Sequence, residues 1–160
     1  MPTKLLYLLR HAKAESANTT LLDADRALTE RGICDVKKLA NKLQKKELNF
    51  DVLLTSPAIR AITTAQIIAN TLDHRQHHLE VEKELYHASP DNFLTLLAGL
   101  PKKASRVLIV GHNPGLEEFA QLLCGERVEI QTCGLIQITL DLKHWKDFEV
   151  NKFTQMKIIN

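Results

Sequence analysis

The stretch that decides the fold is Lys4-Leu5-Leu6-Tyr7-Leu8-Leu9-Arg10-His11. Its apolar run is nearly continuous and stops abruptly at Arg10, a pattern typical of a central parallel strand that is buried on both faces. In open α/β sheets, ligands bind at the carboxyl ends of such strands. Arg10 and His11 therefore bring a permanent cation and a nitrogen nucleophile to the edge where a ligand is expected.

Two later strand-to-helix junctions repeat this arrangement. The apolar run 51–55 is followed by Ser56-Pro57 and a helical pattern that contains Arg60. The run 106–110 is followed by Gly111-His112-Asn113-Pro114 and a second helical pattern. In both junctions we expect the polar residue before proline to be the helix N-cap and the proline to be the first helical residue.

Strands and helices alternate along most of the chain, which predicts a three-layer α/β/α sandwich around a mostly parallel sheet. Further helices are expected to begin at Thr29 and at Ser89, and a short strand is expected near 79–82. Apolar and polar residues alternate over 136–142, so this segment is expected to be a strand with one wet face, paired with 148–158. The chain shows no repeat or linker, and we predict one domain over residues 1–160.

Composition narrows the class of protein. The apolar fraction of 44% and the charged fraction of 25% are ordinary for a globular protein. The net charge of +2 includes no long basic block, so we expect no nucleic-acid partner. The first apolar stretch is too short to span a membrane, and the three cysteines form no CxxC pair, so we expect a cytoplasmic protein without a membrane partner. The sequence leaves the oligomeric state open.

Since the carboxyl ends of parallel strands lie at one edge of a sheet, we expect Arg10, His11, Arg60 and His112 to line one cavity. Taken singly, each has an ordinary structural alternative, such as a surface cation or a hydrogen-bonded core histidine. Together they suit a phosphoryl group, because guanidinium forks bind its oxygens bidentately and neutral imidazole is a competent nucleophile. Helix N-termini at the same edge add favourable dipoles.

We predict neither a metal nor any other cofactor. His74, His77 and His78 are close in sequence, but they lie in a polar loop without cysteines or carboxylates at ligand spacing. Guanidinium and imidazole groups can meet the charge of a phosphoryl group themselves.

Four segments together resemble the histidine phosphatase superfamily, the phosphoglycerate mutase-like fold, and within it the short SixA-type branch. They are Leu9-Arg10-His11-Ala12-Lys13, the block from Asp25 to Gly32, Ser56-Pro57-Ala58-Ile59-Arg60-Ala61 and Val110-Gly111-His112-Asn113-Pro114-Gly115. An Arg-His pair alone is weak evidence for the family. The ordered set of four segments is strong evidence, and the match covers nearly the whole chain.

The resemblance implies a role for each matching position. His11 would be the nucleophile that becomes transiently phosphorylated, and His112 would hydrogen-bond the phosphoryl group. Arg10 and Arg60 would clamp the phosphate, and water would then hydrolyse the phosphohistidine. Arg26 and Asn113 are additional candidates for contact with substrate, although Arg26 could instead pair with Asp23 or Asp25.

The proton donor is the point at which the chain departs from the family pattern. Many relatives place a glutamate in the mid-chain segment, where this chain has His87, with Glu84 as the nearest carboxylate. An alkoxide leaving group needs protonation, whereas a protonated imidazole leaves readily. We therefore expect the substrate to be a phosphohistidine on a protein domain. Small-molecule phosphomonoesters, and a non-catalytic module that binds phospho-ligands, are the alternatives.

Overall fold

The computed structural model describes residues 2–18, 20–73, 79–149 and 152–160. His74, His77 and His78 lie outside the described residues. The strands are β1 (Lys4–Arg10), β2 (Val52–Thr55), β3 (Leu79–Val81), β4 (Arg106–Gly111), β5 (Leu135–Leu140) and β6 (Phe153–Ile158). The helices are α1 (Glu30–Lys45), α2 (Ile59–Thr71), α3 (Pro90–Ala98) and α4 (Gly115–Cys124).

The six strands form one sheet in the order β3-β2-β4-β1-β5-β6. β1, β2, β3 and β4 are mutually parallel, while β5 and β6 are added as antiparallel strands. The predicted α/β sandwich around a mostly parallel sheet is therefore confirmed. The register pairs Arg10 with Gly111 and Thr55 with Val110, so the ends of β1, β2 and β4 lie level at one edge.

The sheet is covered on both faces, and β1 belongs to both cores. Leu6 and Leu8 pack in one core with side chains of α3 and α4, whereas Tyr7 and Leu9 pack in the other with side chains of α1 and α2. Leu6, Leu8 and Leu9 are fully buried. Each such side chain contributes about 2 kcal/mol through removal from water, so β1 is firmly held and its end is a rigid platform. Among the described residues, no helix combines the length and apolarity needed to cross a membrane.

Two of the predicted helix caps are confirmed. The Thr29 hydroxyl accepts a hydrogen bond from the backbone N–H of Gly32 at 2.9 Å, and α1 begins directly after it. Ser89 and Asn92 form a reciprocal capping box in front of α3, with Pro90 as the first helical residue. Side-chain acceptors at these positions satisfy backbone N–H groups that have no partner within the helix.

The predicted caps of α2 and α4 are wrong. α2 begins at Ile59 and α4 at Gly115, so Ser56-Pro57 and Asn113 belong to the preceding turns. The reason is that the two polar side chains have other partners. The Ser56 hydroxyl lies 2.7 Å from Nε2 of His112, and the Asn113 amide donates to the carbonyl of Ile130.

Gly32 fixes how α1 meets the segment that follows His11. A Cβ atom at this position would lie only 2.2 Å from the carbonyl oxygen of Lys13. The backbone N–H of Thr29 also donates to that carbonyl. The first turn of α1 therefore packs directly against the main chain just beyond the nucleophile candidate, and only glycine permits this approach.

We expect Gly32→Ala to destabilise the protein by about 1–3 kcal/mol, because a main-chain carbonyl cannot move away as a flexible side chain can. Gly99→Ala is the matched control. A Cβ atom at Gly99 would meet nothing closer than 3.7 Å, so its effect should stay within about 0.5 kcal/mol. Urea denaturation measures both free energies of unfolding. Equal values for the two variants would contradict the close packing described for Gly32.

Candidate active site

A cavity lies at the sheet edge where β1, β2 and β4 end. Its described lining contains four cationic side chains, two imidazoles and no carboxylate: Arg10, His11, Lys13, Ala14, Arg26, Arg60, His112, Asn113 and Thr132. Six of these residues were candidates from the sequence. The arrangement is suited to binding an oxyanion.

His11 directly follows β1 and is anchored by its main chain. Its backbone N–H donates to the carbonyl of Gly111 at 3.1 Å, and the next N–H, that of Ala12, donates to the hydroxyl of Thr64. Nδ1 of the ring lies 2.7 Å from the Ala12 carbonyl oxygen. Because a carbonyl only accepts, Nδ1 carries the proton and Nε2 keeps its lone pair.

The charge state of His11 follows from its surroundings. Burial lowers the pKa of His11 to about 4, and the positive charges of Arg60, Arg10 and Arg26 act in the same direction. The hydrogen bond to the Ala12 carbonyl opposes this shift without cancelling it. The ring is therefore neutral near pH 7, and its Nε2 can act as a nucleophile.

His112, which follows β4, faces His11 with ring centroids 5.1 Å apart. Its Nε2 lies 2.7 Å from the Ser56 hydroxyl, which also accepts from the N–H of Ala58 and so has its own hydrogen available to donate. Nδ1 is buried and has no partner among the described residues. Burial, followed by the charges of His11 and Arg60, lowers the pKa of His112 to about 3. A neutral His112 can thus present an Nδ1–H donor to an oxyanion.

Both arginines are held by terminal nitrogens. Nη1 of Arg10 donates to the Ile130 carbonyl at 3.2 Å, and Nη1 of Arg60 donates to the Asp23 carbonyl at 2.8 Å. The Nε atoms of both side chains are buried and lack a partner within the described part of the chain. Since Nε and the adjacent Nη2 form a planar fork, each arginine retains an edge that can bind two oxygens of one phosphoryl group.

Sequence reasoning missed the role of Asp23 beside Arg60. Its carboxylate accepts from Nη2 of Arg60 at 3.0 Å, from Nε of Arg26 at 2.9 Å and from the hydroxyl of Tyr86. These hydrogen bonds, that of Tyr86 first, hold the pKa of the Asp23 carboxyl well below its usual range. One signal was available, because Arg60 lies in the first turn of α2, where the helix dipole disfavours a cation unless an anion is near.

Of the two acidic partners considered for Arg26, the structure shows Asp23, while contact of Arg26 with substrate stays a prediction. The side chain forms the salt bridge with Asp23 and also lines the cavity. A second donor, Nη1, contacts the carbonyl of Glu15. Asn113 likewise lines the cavity, but its amide nitrogen donates to the Ile130 carbonyl at 2.8 Å, the same carbonyl that receives Arg10.

The two candidates for proton donor lie outside the described lining of the cavity. Glu84 is exposed on the short helical turn Lys83–Leu85. His87 is also exposed, and its ring packs on Tyr86 at 4.2 Å between centroids. Tyr86 in turn meets the His112 ring edge-on at 5.6 Å, so His87 approaches the site whereas Glu84 has no contact with it among the described side chains.

Within the described ranges, no group of three or more histidine, cysteine, aspartate or glutamate side chains could hold a metal ion. The cavity instead offers guanidinium, ammonium and imidazole nitrogens. These are donors to anions rather than ligands of hard cations.

Comparison with known proteins identifies relatives of the whole fold. The sequence profile of the histidine phosphatase superfamily (branch 1) matches residues 6–89. An uncharacterised protein of Picosynechococcus sp. is 32% identical over 139 residues, 82% of each chain. A SixA protein from Agrobacterium tumefaciens has a solved structure with a TM-score of 0.79 and 26% identity, covering 98% of this chain and 96% of the other.

A further solved structure shares the fold. The protein histidine phosphatase SixA complexed with tungstate superposes with a TM-score of 0.80 at 23% identity, over 96% of each chain. The resemblance seen in the sequence motifs is confirmed by these comparisons.

We expect the imidazole resonances of His11 to titrate with a midpoint near pH 4 in an NMR titration of the free protein. An unperturbed histidine titrates at about 6.5. As the pH falls through this midpoint, Nε2 takes up a proton and loses its lone pair, so nucleophilic activity is retained above pH 5 and lost below pH 4. Spectra of His11→Ala assign the resonance. A midpoint between 6 and 7 would contradict the buried, cation-flanked site.

Proposed function

Because the chain belongs to branch 1 of the histidine phosphatase superfamily, we propose that it is a phosphatase that forms a covalent phosphohistidine on His11. One observation carries this proposal. The Ala12 carbonyl holds the proton of His11 on Nδ1, so that the unprotonated Nε2 belongs to a cavity lined by three arginines. This is the arrangement expected of an activated nitrogen nucleophile beside a phosphate clamp.

In the first step, Nε2 of His11 attacks phosphorus, and the bond from phosphorus to the leaving atom breaks. The free edges of Arg10 and Arg60 and the Nδ1–H of His112 hold the phosphoryl oxygens and stabilise their charge. The imidazole becomes positively charged, since Nδ1 keeps its proton while Nε2 carries the phosphoryl group. The hydrogen bond from Nδ1–H to the Ala12 carbonyl strengthens as that charge develops.

In the second step, water attacks the phosphoryl group and the bond to Nε2 breaks. The bonding electrons return to Nε2, which becomes the neutral, unprotonated atom of the starting state. The proton lost by water leaves with phosphate or passes to solvent. Neutral imidazole is a good leaving group from the positively charged phosphoimidazole, so this step needs no strong general acid.

The substrate that fits this site best is a phosphohistidine on a protein domain. An imidazole leaving group that carries a proton departs readily, and none of the three glutamates of the mid-chain segment, Glu80, Glu82 and Glu84, belongs to the described cavity lining. The solved SixA protein complexed with tungstate, a tetrahedral oxyanion, has the same fold and supports an oxyanion site here. We therefore favour protein phosphohistidine over a sugar or glycerate phosphate.

Hydrolysis of small phosphomonoesters is a second candidate, and one observation favours it. His87 packs on Tyr86, which contacts His112, so only one side chain separates the His87 imidazole from the site. That histidine could supply a proton to an alkoxide leaving group.

We expect wild-type protein to release phosphate rapidly from a phosphohistidine-bearing carrier domain in the presence of EDTA, and slowly from a panel of phosphomonoesters. His11→Ala removes the nucleophile and should lower turnover by about three orders of magnitude or more. His144→Ala, a histidine outside the described cavity lining, is the matched control and should retain activity. Phosphate release is followed over time.

Other outcomes of the same experiment separate the alternatives. Faster release from esters than from the carrier would assign the protein as a small-molecule phosphatase. Binding of phosphate without any turnover would favour a non-catalytic phospho-ligand module. Complete loss of activity in EDTA, restored by a divalent cation, would contradict the proposed chemistry.

We expect Glu84→Gln and His87→Ala to change turnover of the phosphohistidine carrier by less than about threefold, because imidazole leaves without an added acid. Comparison of an alkyl phosphate with an aryl phosphate tests the second candidate. If His87 is an acid for esters, His87→Ala should lower alkyl phosphate turnover by about 100-fold while sparing the aryl ester. A large loss of turnover on the phosphohistidine carrier would instead show that its imidazole leaving group needs protonation by one of these side chains.

A further inference from the structure

Asp23 contacts Arg60 through two different groups. Its main-chain carbonyl accepts from Nη1 of Arg60 at 2.8 Å, and its carboxylate accepts from Nη2 at 3.0 Å. The Arg60 side chain is only 6% exposed, whereas that of Asp23 is 46% exposed. The buried cation of the cavity is therefore held from outside by a residue of the surface turn Asp23–Asp25.

Two other side chains hold the Asp23 carboxylate in turn. Nε of Arg26 donates to Oδ1 at 2.9 Å, and the Tyr86 hydroxyl donates to Oδ2, the oxygen that also receives Arg60. All three partners are donors, so the carboxyl group is unprotonated and cannot serve as the missing acid. The Asp23 carboxylate is therefore held by three side chains, although nearly half of the Asp23 side chain is exposed to water.

The contacts of Asp23 leave one edge of Arg60 free. They use Nη1 and one hydrogen of Nη2, whereas Nε is buried and without a partner among the described residues. A phosphoryl group that binds side-on uses Nε–H and the second hydrogen of Nη2. Asp23 and a phosphoryl group can thus occupy different edges of the same guanidinium.

We propose that Asp23 is a positioning residue that orients the Arg60 guanidinium, so that its Nε edge is presented to the phosphoryl group while Asp23 stays bound. This inference rests on the proposed function only in taking Arg60 to be a phosphate ligand. Arg26 acts one step further out by fixing Asp23, whereas the Tyr86 hydroxyl both fixes Asp23 and interacts with Arg60 directly.

A competing arrangement gives the opposite result. If Asp23 occupies the place of the phosphoryl group on Arg60, it is a competitor that must be displaced. Removing its carboxylate would then strengthen the binding of phosphate. If Asp23 orients Arg60, removing the carboxylate frees the guanidinium to rotate and weakens the binding of phosphate.

The experiment measures the affinity of inorganic phosphate by titration calorimetry, and kcat and KM on an aryl phosphate, for wild type, Asp23→Ala and Asp23→Asn. We expect Asp23→Ala to weaken phosphate binding by about tenfold or more, the size of a charge-assisted hydrogen bond. Asp23→Asn should recover affinity to within about threefold, because its amide oxygen still accepts from Nη2 and the main-chain carbonyl remains.

Two further variants sharpen the test. Asp25→Ala makes the same charge change on the same turn, and no described side-chain contact joins Asp25 to the cavity. It should bind phosphate as wild type does. Tyr86→Phe keeps the ring against His112 and removes only the hydroxyl, which holds Asp23 and also interacts with Arg60, so it should weaken phosphate binding in the same direction by a smaller factor.

Tighter binding of phosphate by Asp23→Ala would overturn the proposal in favour of the competitor, and unchanged binding would overturn it as well. Circular dichroism of each variant establishes that it is folded, and the asparagine variant keeps the test valid if the alanine variant is not. Failure of the proposed function is distinguishable from failure of the positioning role of Asp23. Wild type would then bind phosphate without turnover, while the affinities would still decide the role of Asp23.

Discussion

Burial of β1 on both faces and along both edges is the constraint on which the rest of the structure depends. The strand pairs with β4 on one side and β5 on the other, and its alternate side chains enter two separate cores. β1 cannot shift along or out of the sheet without losing hydrogen bonds or apolar burial. His11 follows this strand directly, so the proposed nucleophile is attached to a strand that is buried on both faces and hydrogen-bonded along both edges.

The convergence of strand ends also brings several cationic groups close together, which costs electrostatic free energy. Three arginines and two histidines share one partly buried cavity, and positive charge on either imidazole is disfavoured there. A histidine that must be a nucleophile at neutral pH benefits from a depressed pKa. In the proposed mechanism the incoming phosphoryl group brings negative charge, and it therefore stabilises the positively charged phosphoimidazole that attack by His11 would produce.

The sequence predicts those parts of the site that depend on strand ends. Arg10, His11 and His112 were found because each follows a recognisable apolar strand, and parallel strands bring their ends to one edge. The caps of α2 and α4 were predicted wrongly, because local cap rules take no account of partners distant in sequence. Ser56 is hydrogen-bonded to a histidine 56 residues away, and Asn113 to a carbonyl 17 residues away.

The role of Asp23 also depends on a partner that is distant in sequence, Arg60. The cost of burying the Arg60 charge explains why an anion lies beside it. An unpaired guanidinium that is 94% buried would carry a large desolvation penalty whenever the cavity holds no phosphoryl group. In the proposed reaction each turnover ends in such a state, because phosphate must leave. A permanent carboxylate on the outer edge of Arg60 offsets the penalty without filling the inner edge, and its exposure to water keeps its own desolvation cost small. The three-dimensional position of Arg60 determines which acidic residue lies beside it. Sequence spacing alone therefore could not single out Asp23 among the acidic residues of the surface loop.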